Sequence, residues 1–394
     1  MKQNSALRLA AAGAALALLS GAASAQDFHG FSPTGFSGEM LPAENLMAMV
    51  EQAASVSPPR NGEQYVIAFA NLQRDIPFAA LVEQSIIENA EAAGVELVVA
   101  DNRLDGATAL ANAESFINRN VDYVIEFQTD ANFGATIMQK MGEVGIGVTA
   151  IDIPMPGATF FGANNPRSGY MGGVYLGQAA IAKFGADKVK EGYFILGDLP
   201  QSGAVPAMRT GGQLAGFLAA VEGFPEDHVI VIDTKNTLEE SFAQTNNVLG
   251  RIPDGVPIMA TAINDQASTG ILRAVKQGGR EDDLIVVGMG ADENETMVNE
   301  PAFVASVGYF PERYGNFLIP MAFAELAGID LPPAVLQTHV MVDNGNICEF
   351  YPDFPCTDGA GMALNFPQAA FEQHLAEIRA SPEMADSIEL IPTE

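Results

Sequence analysis

Seven side chains stand where apolar runs give way to polar turns: Phe78, Gln128, Asp152, Arg209, Asn264, Asp265 and Tyr309. Their chemistry is that of holding a small molecule. A carboxylate such as Asp152 accepts hydrogen bonds from hydroxyls or amines, the amides of Gln128 and Asn264 donate and accept, and a guanidinium donates in a fixed fork. Rings such as Phe78 and Tyr309 supply flat apolar surface. Asp152 has no tidy helix to cap, because Pro154 and Pro156 follow within four residues, so its carboxylate is left to a ligand. Asn264 and Asp265 lie between a strand and a helix, where one can cap the helix and the other face a cleft. Arg209, one of few cations in an acidic chain, lies near a helix start, where the helix dipole disfavours it. Each residue alone fits a cap, a core contact or a solvated surface as well as a binding role. The mixture of carboxylate, amide, cation and ring is what points to a site.

The sequence carries no signature of bond-making chemistry. It has no Gly-rich phosphate loop ending in Lys-Ser or Lys-Thr, no Gly-x-Ser-x-Gly elbow and no His-Glu-x-x-His. His29, His228, His339 and His374 are far apart in sequence and lie off the strand-exit loops. Gly288-Met289-Gly290 begins like a dinucleotide fingerprint but lacks the third glycine. Asp343-Asn344-Gly345-Asn346 has the flavour of a calcium loop without the remaining ligands, and reads as a turn. With 49 Asp and Glu, carboxylate pairs occur by composition alone. The expectation is a protein that is not an enzyme, with no cofactor and no metal.

The elements that must position these residues follow a regular rhythm. Strands are read at Tyr65 to Ala70, Glu96 to Ala100, Tyr123 to Phe127 and Val148 to Ile151, with helices at Phe78 to Ala93, Ala107 to Asn118 and Ala131 to Glu143. The alternation restarts with strands at Gly192 to Leu196, His228 to Asp233, Ile258 to Ala262 and Leu284 to Gly288. Helices fall near Gly212 to Val221, Leu238 to Leu249 and Ala267 to Gln277. Continuous apolar strands separated by helices imply parallel sheets with right-handed crossovers. Two runs of four fit two similar α/β lobes, each a doubly wound parallel sheet, better than one sheet. A strand at Val304 to Tyr309, a helix at Tyr314 to Ala327 and a strand near Thr338 to Val342 are expected to cross back between lobes. In open parallel sheets ligands bind beyond the carboxyl ends of the strands, which is where the seven residues fall.

The flanks read differently. Lys2 and Arg8, an apolar run from Leu9 to Leu19 and Ala23-Ser24-Ala25 form a secretory leader with cleavage expected before Gln26. Residues 26–63 are rich in Gly, Pro, Ser and Phe, with one helix candidate at Glu44 to Ala54, and read as an extension or tether. Past Asp343 the rhythm stops, and the tail ends in an amphipathic helix near Gln368 to Ala380 expected to pack on one lobe. Cys348 and Cys356, the only cysteines, read as one disulfide closing a short loop of an exported protein; a zinc site lacks further ligands nearby. The leader takes two of the 19 Lys and Arg, leaving the rest against 49 carboxylates. Such a surface repels nucleic acid and anionic lipid, and steers anionic solutes away, so a small neutral or cationic ligand is expected.

In order along the chain, Ile76 to Phe78, Val148-Thr149-Ala150-Ile151-Asp152, Asn164-Asn165 before a Gly-rich helix, Gly216-Phe217, Ala262-Ile263-Asn264-Asp265, Val286-Val287-Gly288 and Ala305 to Pro311 form a recognisable series. From about Tyr65 to Val342 the chain resembles the periplasmic sugar-binding proteins of the ribose-binding type, which serve ABC importers and share a fold with LacI-type repressors. The resemblance implies two lobes joined by three crossovers, near Gly162 to Asn165, Asn264, and Tyr309 to Thr338. The first lobe would hold residues 64–162 and 310–337, the second 163–309 and 338–344, and the tail 345–394. It implies a monomeric receptor that closes on a sugar or polyol in the periplasm and delivers it to an ABC permease in the inner membrane. Phe78 matches a stacking aromatic, Asp152 the hydroxyl-binding aspartate, Asn264 the amide of the second lobe and Arg209 a binding arginine at longer spacing. Three positions depart from the family: Ile153 stands for an arginine, Gly290 for an aspartate and Tyr309 for a glutamine. Those losses imply a ligand other than ribose. A receptor presenting ligand to a chemoreceptor or histidine kinase is the alternative, and an exported α/β enzyme the next. A repressor is set aside because an export signal stands where its DNA-binding domain would be.

Overall fold

The computed structural model describes residues 27–33 and 36–393; the leader and its expected cleavage point lie outside the described residues. Two six-stranded sheets organise the chain. The first contains β1 (Val66–Asn71), β2 (Glu96–Asp101), β3 (Tyr123–Phe127), β4 (Gly147–Ile151) and β5 (Thr159–Ala163). The second contains β6 (Tyr193–Asp198), β7 (Val229–Asp233), β8 (Ile258–Ala262), β9 (Leu284–Gly290) and β10 (Phe303–Gly308). Each takes one late strand: β11 (Ala334–Gln337) joins the first and β12 (Val340–Asp343) the second. The orders are β11-β5-β4-β3-β1-β2 and β12-β10-β9-β8-β6-β7. All pairs are parallel except β10 with β12.

The strand sequences explain this layout. β1, Val-Ile-Ala-Phe-Ala-Asn, is buried along its whole length, as a central strand with helices on both faces must be. β7 is an edge strand, and its alternation leaves Val231 57 % exposed. β5 and β11 are absent from the sequence-based reading. Both are short, and no amphipathic helix separates β5 from β4, so the βα rhythm gives no cue. The strand read near Thr338 to Val342 is β12, and β11 precedes it across Thr338-His339 in the other sheet.

The chain passes between sheets three times: from β5 into the helix Asn165–Phe184, from β10 into the helix Tyr314–Leu326, and from β11 into β12. Asn264, expected at a crossover, is not one. It joins β8 to the helix Asp265–Gln277 within the second lobe, and its side chain caps that helix.

The helices Asn165–Phe184 and Ala204–Ala220 pack backbone to backbone. A methyl group placed on Gly169 would lie 2.0 Å from the Arg209 carbonyl oxygen, and one on Gly173 2.0 Å from that of Gln213. Glycine is required there because any side chain would push the second helix away. That helix starts at Ala204, eight residues earlier than its sequence pattern indicates, because Pro206 in the first turn needs no intrahelical donor. Arg209 therefore lies inside the helix, in its second turn.

Both flanks are built into the lobes. Phe28, Phe31, Leu46, Met49 and Ala53 are buried in the core of the first lobe, and the helix Ala43–Val56 packs there, so residues 27–33 and 36–63 form a structural layer and not a tether. The tail carries the Cys348–Cys356 disulfide and the helix Gln368–Ala380. Phe371 and Leu375 bury against Tyr170 and Val174 of the second lobe and Phe160 of β5, with Leu336 of β11 at the rim. The tail thus lies across both lobes, where a single-lobe attachment was expected, because the edge of the first sheet and the Asn165–Phe184 helix form one continuous apolar shelf. Phe371→Ala should cost about 3–5 kcal/mol of stability, the usual cost of hollowing an aromatic site. A denaturant melt checks this.

One buried group makes the first lobe sensitive to alkali. Glu126, in mid-β3, is fully buried with only Asn102 Nδ2 donating to it, at 2.8 Å. Burial pushes its pKa up to about 8, with the Asn102 bond opposing. The folded chain keeps this proton where the unfolded chain has lost it. Stability held by the neutral form is complete below the ordinary glutamate range and is lost as pH rises through about 8. Melts from pH 5 to 9 should fall by a few kcal/mol, and Glu126→Gln should flatten the profile.

Candidate functional site

Beyond the carboxyl ends of both parallel sheets lies a cavity walled by both lobes, with about 550 Å³ of unfilled space including its mouth. Leu72, Ile76, Phe78, Phe127, Asp152 and Ile153 line it from the first lobe. Leu199, Ser202, Pro206, Arg209, Asn236, Ile263, Asn264 and Met289 line it from the second, and Tyr309 from the crossing after β10. The lobes meet at the rim, where Gln201 Nε2 donates to the Thr129 carbonyl at 3.1 Å.

Asp152 follows β4 directly and adopts a left-handed backbone, φ 54°. Its own N–H donates to Phe161 O at 2.9 Å. One carboxylate oxygen accepts from the Ala163 N–H at 3.1 Å and the other from the Tyr314 hydroxyl at 3.4 Å. Burial pushes its pKa up, and the charge of Arg209 from the facing lobe pulls it back. Each oxygen keeps lone-pair capacity toward the cavity.

Arg209 is 8 % exposed. Its Nε donates to Asn165 Oδ1 at 3.0 Å and its Nη1 to the Ile263 carbonyl at 2.8 Å. The guanidinium lies 4.8 Å from the Tyr309 ring centre, a cation–π distance. Among the described residues no carboxylate pairs with it, and Nη2 has no protein acceptor. Tyr309 shares a 2.9 Å hydrogen bond with Ser168 Oγ, and burial pushes its phenol up to about 12. Phe78 stands at the start of the helix Pro77–Ala93 and meets Phe127, Tyr309 and Tyr314 edge to face at 6.4, 6.4 and 5.6 Å. It serves the aromatic core and the cavity wall together.

Asn264 uses both ends of its amide in structure: Oδ1 caps Ala267 N at 2.8 Å and Nδ2 donates to Asn236 Oδ1 at 2.8 Å. Asn236 is thereby turned with its own Nδ2 free, in a left-handed turn after β7, φ 61°. That residue escaped the sequence reading. An Asn closing a Thr-Lys-Asn turn at a strand exit was the available signal.

The structure does not bring Gln128 or Asp265 to the wall. Gln128 folds back on its own loop, Oε1 accepting from the N–H groups of Thr129 and Asp130 at 2.6 and 3.3 Å. Asp265 accepts from Ser306 Oγ at 2.7 Å and from the N–H groups of Asp292 and Glu293 at 3.0 and 3.4 Å. It anchors the loop after β9, and burial pushes its pKa up to about 6. Gly290 has φ 143°, and a Cβ there would meet Asp292 Oδ1 at 2.1 Å, so this position offers the cavity no side chain. Phe78, Asp152, Arg209, Asn264 and Tyr309 are the sequence-derived residues that share the cavity.

Behind the cavity one imidazole ties the three crossings together. His339, between β11 and β12, accepts from the Asn164 N–H at Nε2, 3.0 Å, and so carries its proton on Nδ1, which faces the Gly308 carbonyl at 3.0 Å. Its ring lies 4.5 Å from that of Tyr309. Burial, with Arg209 and Arg167 nearby, pushes its pKa down to about 4, against the pull of the Gly308 carbonyl.

Residues 67–330 match the model of a family described as periplasmic binding protein domain. The ribose import binding protein of Escherichia coli strain K12 is 23 % identical over 273 residues, spanning 68 % of this chain and 87 % of that protein. An ABC transporter periplasmic solute binding protein from Actinobacillus succinogenes 130z, solved with bound D-allose, superimposes with a TM-score of 0.61 at 18 % identity, covering 72 % of this chain and 99 % of that one. A solute binding protein from Bacillus halodurans C-125, solved with bound myo-inositol, gives 0.61 at 22 % identity, covering 74 % and 98 %. At these identities the structural likenesses carry the fold.

Protonating His339 would set an N–H against the Asn164 N–H. With the folded pKa below the free value, its stabilisation is complete above about pH 6.5 and is lost as pH falls through about 4. Denaturation midpoints measured from pH 7 to 4 should drop, and the drop should be shallower in His339→Asn.

Proposed function

The chain belongs to the periplasmic binding protein domain family, and on that premise we propose that it captures a small neutral, hydroxyl-bearing solute of the sugar or polyol class between its lobes and delivers it to an ABC permease in the inner membrane. Its place of work is the periplasm, after removal of the leader before Gln26, and it acts as a monomer without chemical turnover of its ligand. The observation that carries this reading is a cavity walled by both lobes, lying where two sheets aim their strand ends.

The mechanism is closure. In the open form each lobe presents half a site to water. A solute bound first by one half draws the other over it, rotating about the crossings at 163–165, 308–311 and 338–339. Asp152 offers acceptors from one lobe, while Arg209 and Asn236 offer donors from the other. A solute hydroxyl satisfies both kinds at once, so it bonds the halves together. The closed form then presents a lobe-to-lobe surface that the permease reads. The names of similar proteins solved with D-allose and myo-inositol support the ligand class without fixing the ligand.

A panel of monosaccharides, polyols and small alcohols, tested by thermal shift and small-angle scattering, examines the proposal. A true ligand at a hundred times its Kd should stabilise the protein by about 2.7 kcal/mol and reduce its radius of gyration. Asp152→Ala should weaken that ligand about 10–100-fold with the fold intact by circular dichroism. An unchanged scattering envelope with a tightly bound ligand would remove closure as the mechanism.

A further inference from the structure

The cavity wall is too apolar for a fully hydroxylated sugar. Nine of its fifteen lining residues are Leu, Ile, Phe, Pro or Met. Ile76, Phe127, Ile153, Leu199 and Met289 are among them, each nearly or wholly buried, so they surround a guest with hydrocarbon and no donors.

The polar groups form one edge. Arg209 bonds the Ile263 carbonyl, the next residue Asn264 bonds Asn236, and the charge of Arg209 is felt by Asp152 across the cleft. Their remaining capacity is small. Asn264 caps its helix through Oδ1 and keeps one Nδ2 proton after donating to Asn236, Tyr309 shares its hydroxyl with Ser168, and the Ser202 hydroxyl donates to Leu199 O at 2.7 Å. What faces a guest is the carboxylate of Asp152, Nη2 of Arg209, Nδ2 of Asn236 and the second Nδ2 proton of Asn264, three donor groups and one acceptor group. Two or three oxygen functions satisfy them. Each further hydroxyl would lie against hydrocarbon and lower affinity by roughly tenfold.

Resting on the solute-receptor reading above, we infer that the ligand is a small neutral diol or deoxygenated polyol, with its oxygens on one edge and a hydrocarbon face over the rest. Neutrality follows from the same edge. An anion that paired with Arg209 would stand beside the Asp152 carboxylate, and the strongly acidic surface would slow its approach.

Two probes with the same six-membered carbon ring isolate the effect of hydroxyl number: 1,2-cyclohexanediol, as separate cis and trans isomers, and myo-inositol. Calorimetric titration of the wild-type protein should give at least one diol isomer a Kd tenfold or more below that of myo-inositol, and Asp152→Ala should weaken the diol about 10–100-fold. Met289→Gln, which brings a polar group into the apolar wall at similar volume, should narrow the ratio. The wild-type measurement alone decides. Myo-inositol, ribose or glucose binding as tightly as either diol overturns this inference and leaves the receptor reading standing. A 2-hydroxy acid outcompeting the diols overturns neutrality. If neither the diols nor any sugar or polyol of the panel binds, the receptor reading falls and takes the inference with it.

Discussion

The backbone contact between the helices Asn165–Phe184 and Ala204–Ala220 is the constraint on which the second half of the site depends. Glycines at 169 and 173 let the two helices touch without side chains between them, with the Arg209 carbonyl against Gly169. The depth of that contact sets where the Arg209 side chain starts. It then fixes what the guanidinium reaches: Asn165 Oδ1 at the head of the neighbouring helix and the Ile263 carbonyl at the end of β8. The same helix carries Ser168, which orients Tyr309, and Tyr170, which receives the tail. One close approach of two backbones therefore positions a donor, an aromatic wall and the shelf for the C-terminal segment.

Electrostatics across the cleft follow from that placement. Arg209 is buried with neutral acceptors and an aromatic face around it, so its charge is not consumed within its own lobe. Asp152 is buried in the other lobe, and Arg209 offsets part of the cost of keeping it ionised. Separated, the two groups are hydrated; brought together, each lowers the desolvation cost of the other. A neutral guest that accepts from one and donates to the other completes the arrangement without adding charge to a low-dielectric site.

Much of the architecture was legible because its physics is periodic. Continuous apolar strands and helix-length spacers gave two parallel sheets, and Pro154 and Pro156 already set Asp152 apart as a carboxylate without a helix to cap. The misses have equally local causes. β5 and β11 are four or five residues long with no period to detect. Asn236 lies in a turn whose left-handed backbone only the folded chain reveals. Gln128 and Asp265 have the right residue types at strand exits, but free N–H groups lie nearer than the cavity, in its own loop for Gln128 and in the loop after β9 for Asp265. Local backbone satisfaction outcompetes display of a side chain, and residue type alone does not register that competition.

The flanking segments change how the hinge must be viewed. The tail buries Phe371 among residues of both lobes, and the disulfide loop lays Phe350 and Tyr351 on Phe310 at 5.5 and 6.2 Å, in the crossing that leaves β10. Phe310 has φ 54°, a left-handed backbone that a bulky residue adopts only when its surroundings hold it there. On the other side Phe36 of the N-terminal layer packs on Phe317 at 4.9 Å, in the helix that follows the same crossing. The crossing is therefore gripped from two directions by segments outside the matched 67–330 region. Rotation of the lobes cannot be confined to three bare strands. It must either slide the tail over its shelf or carry the tail with one lobe, so the energy of opening is set in part by apolar contacts that the two lobes alone do not possess.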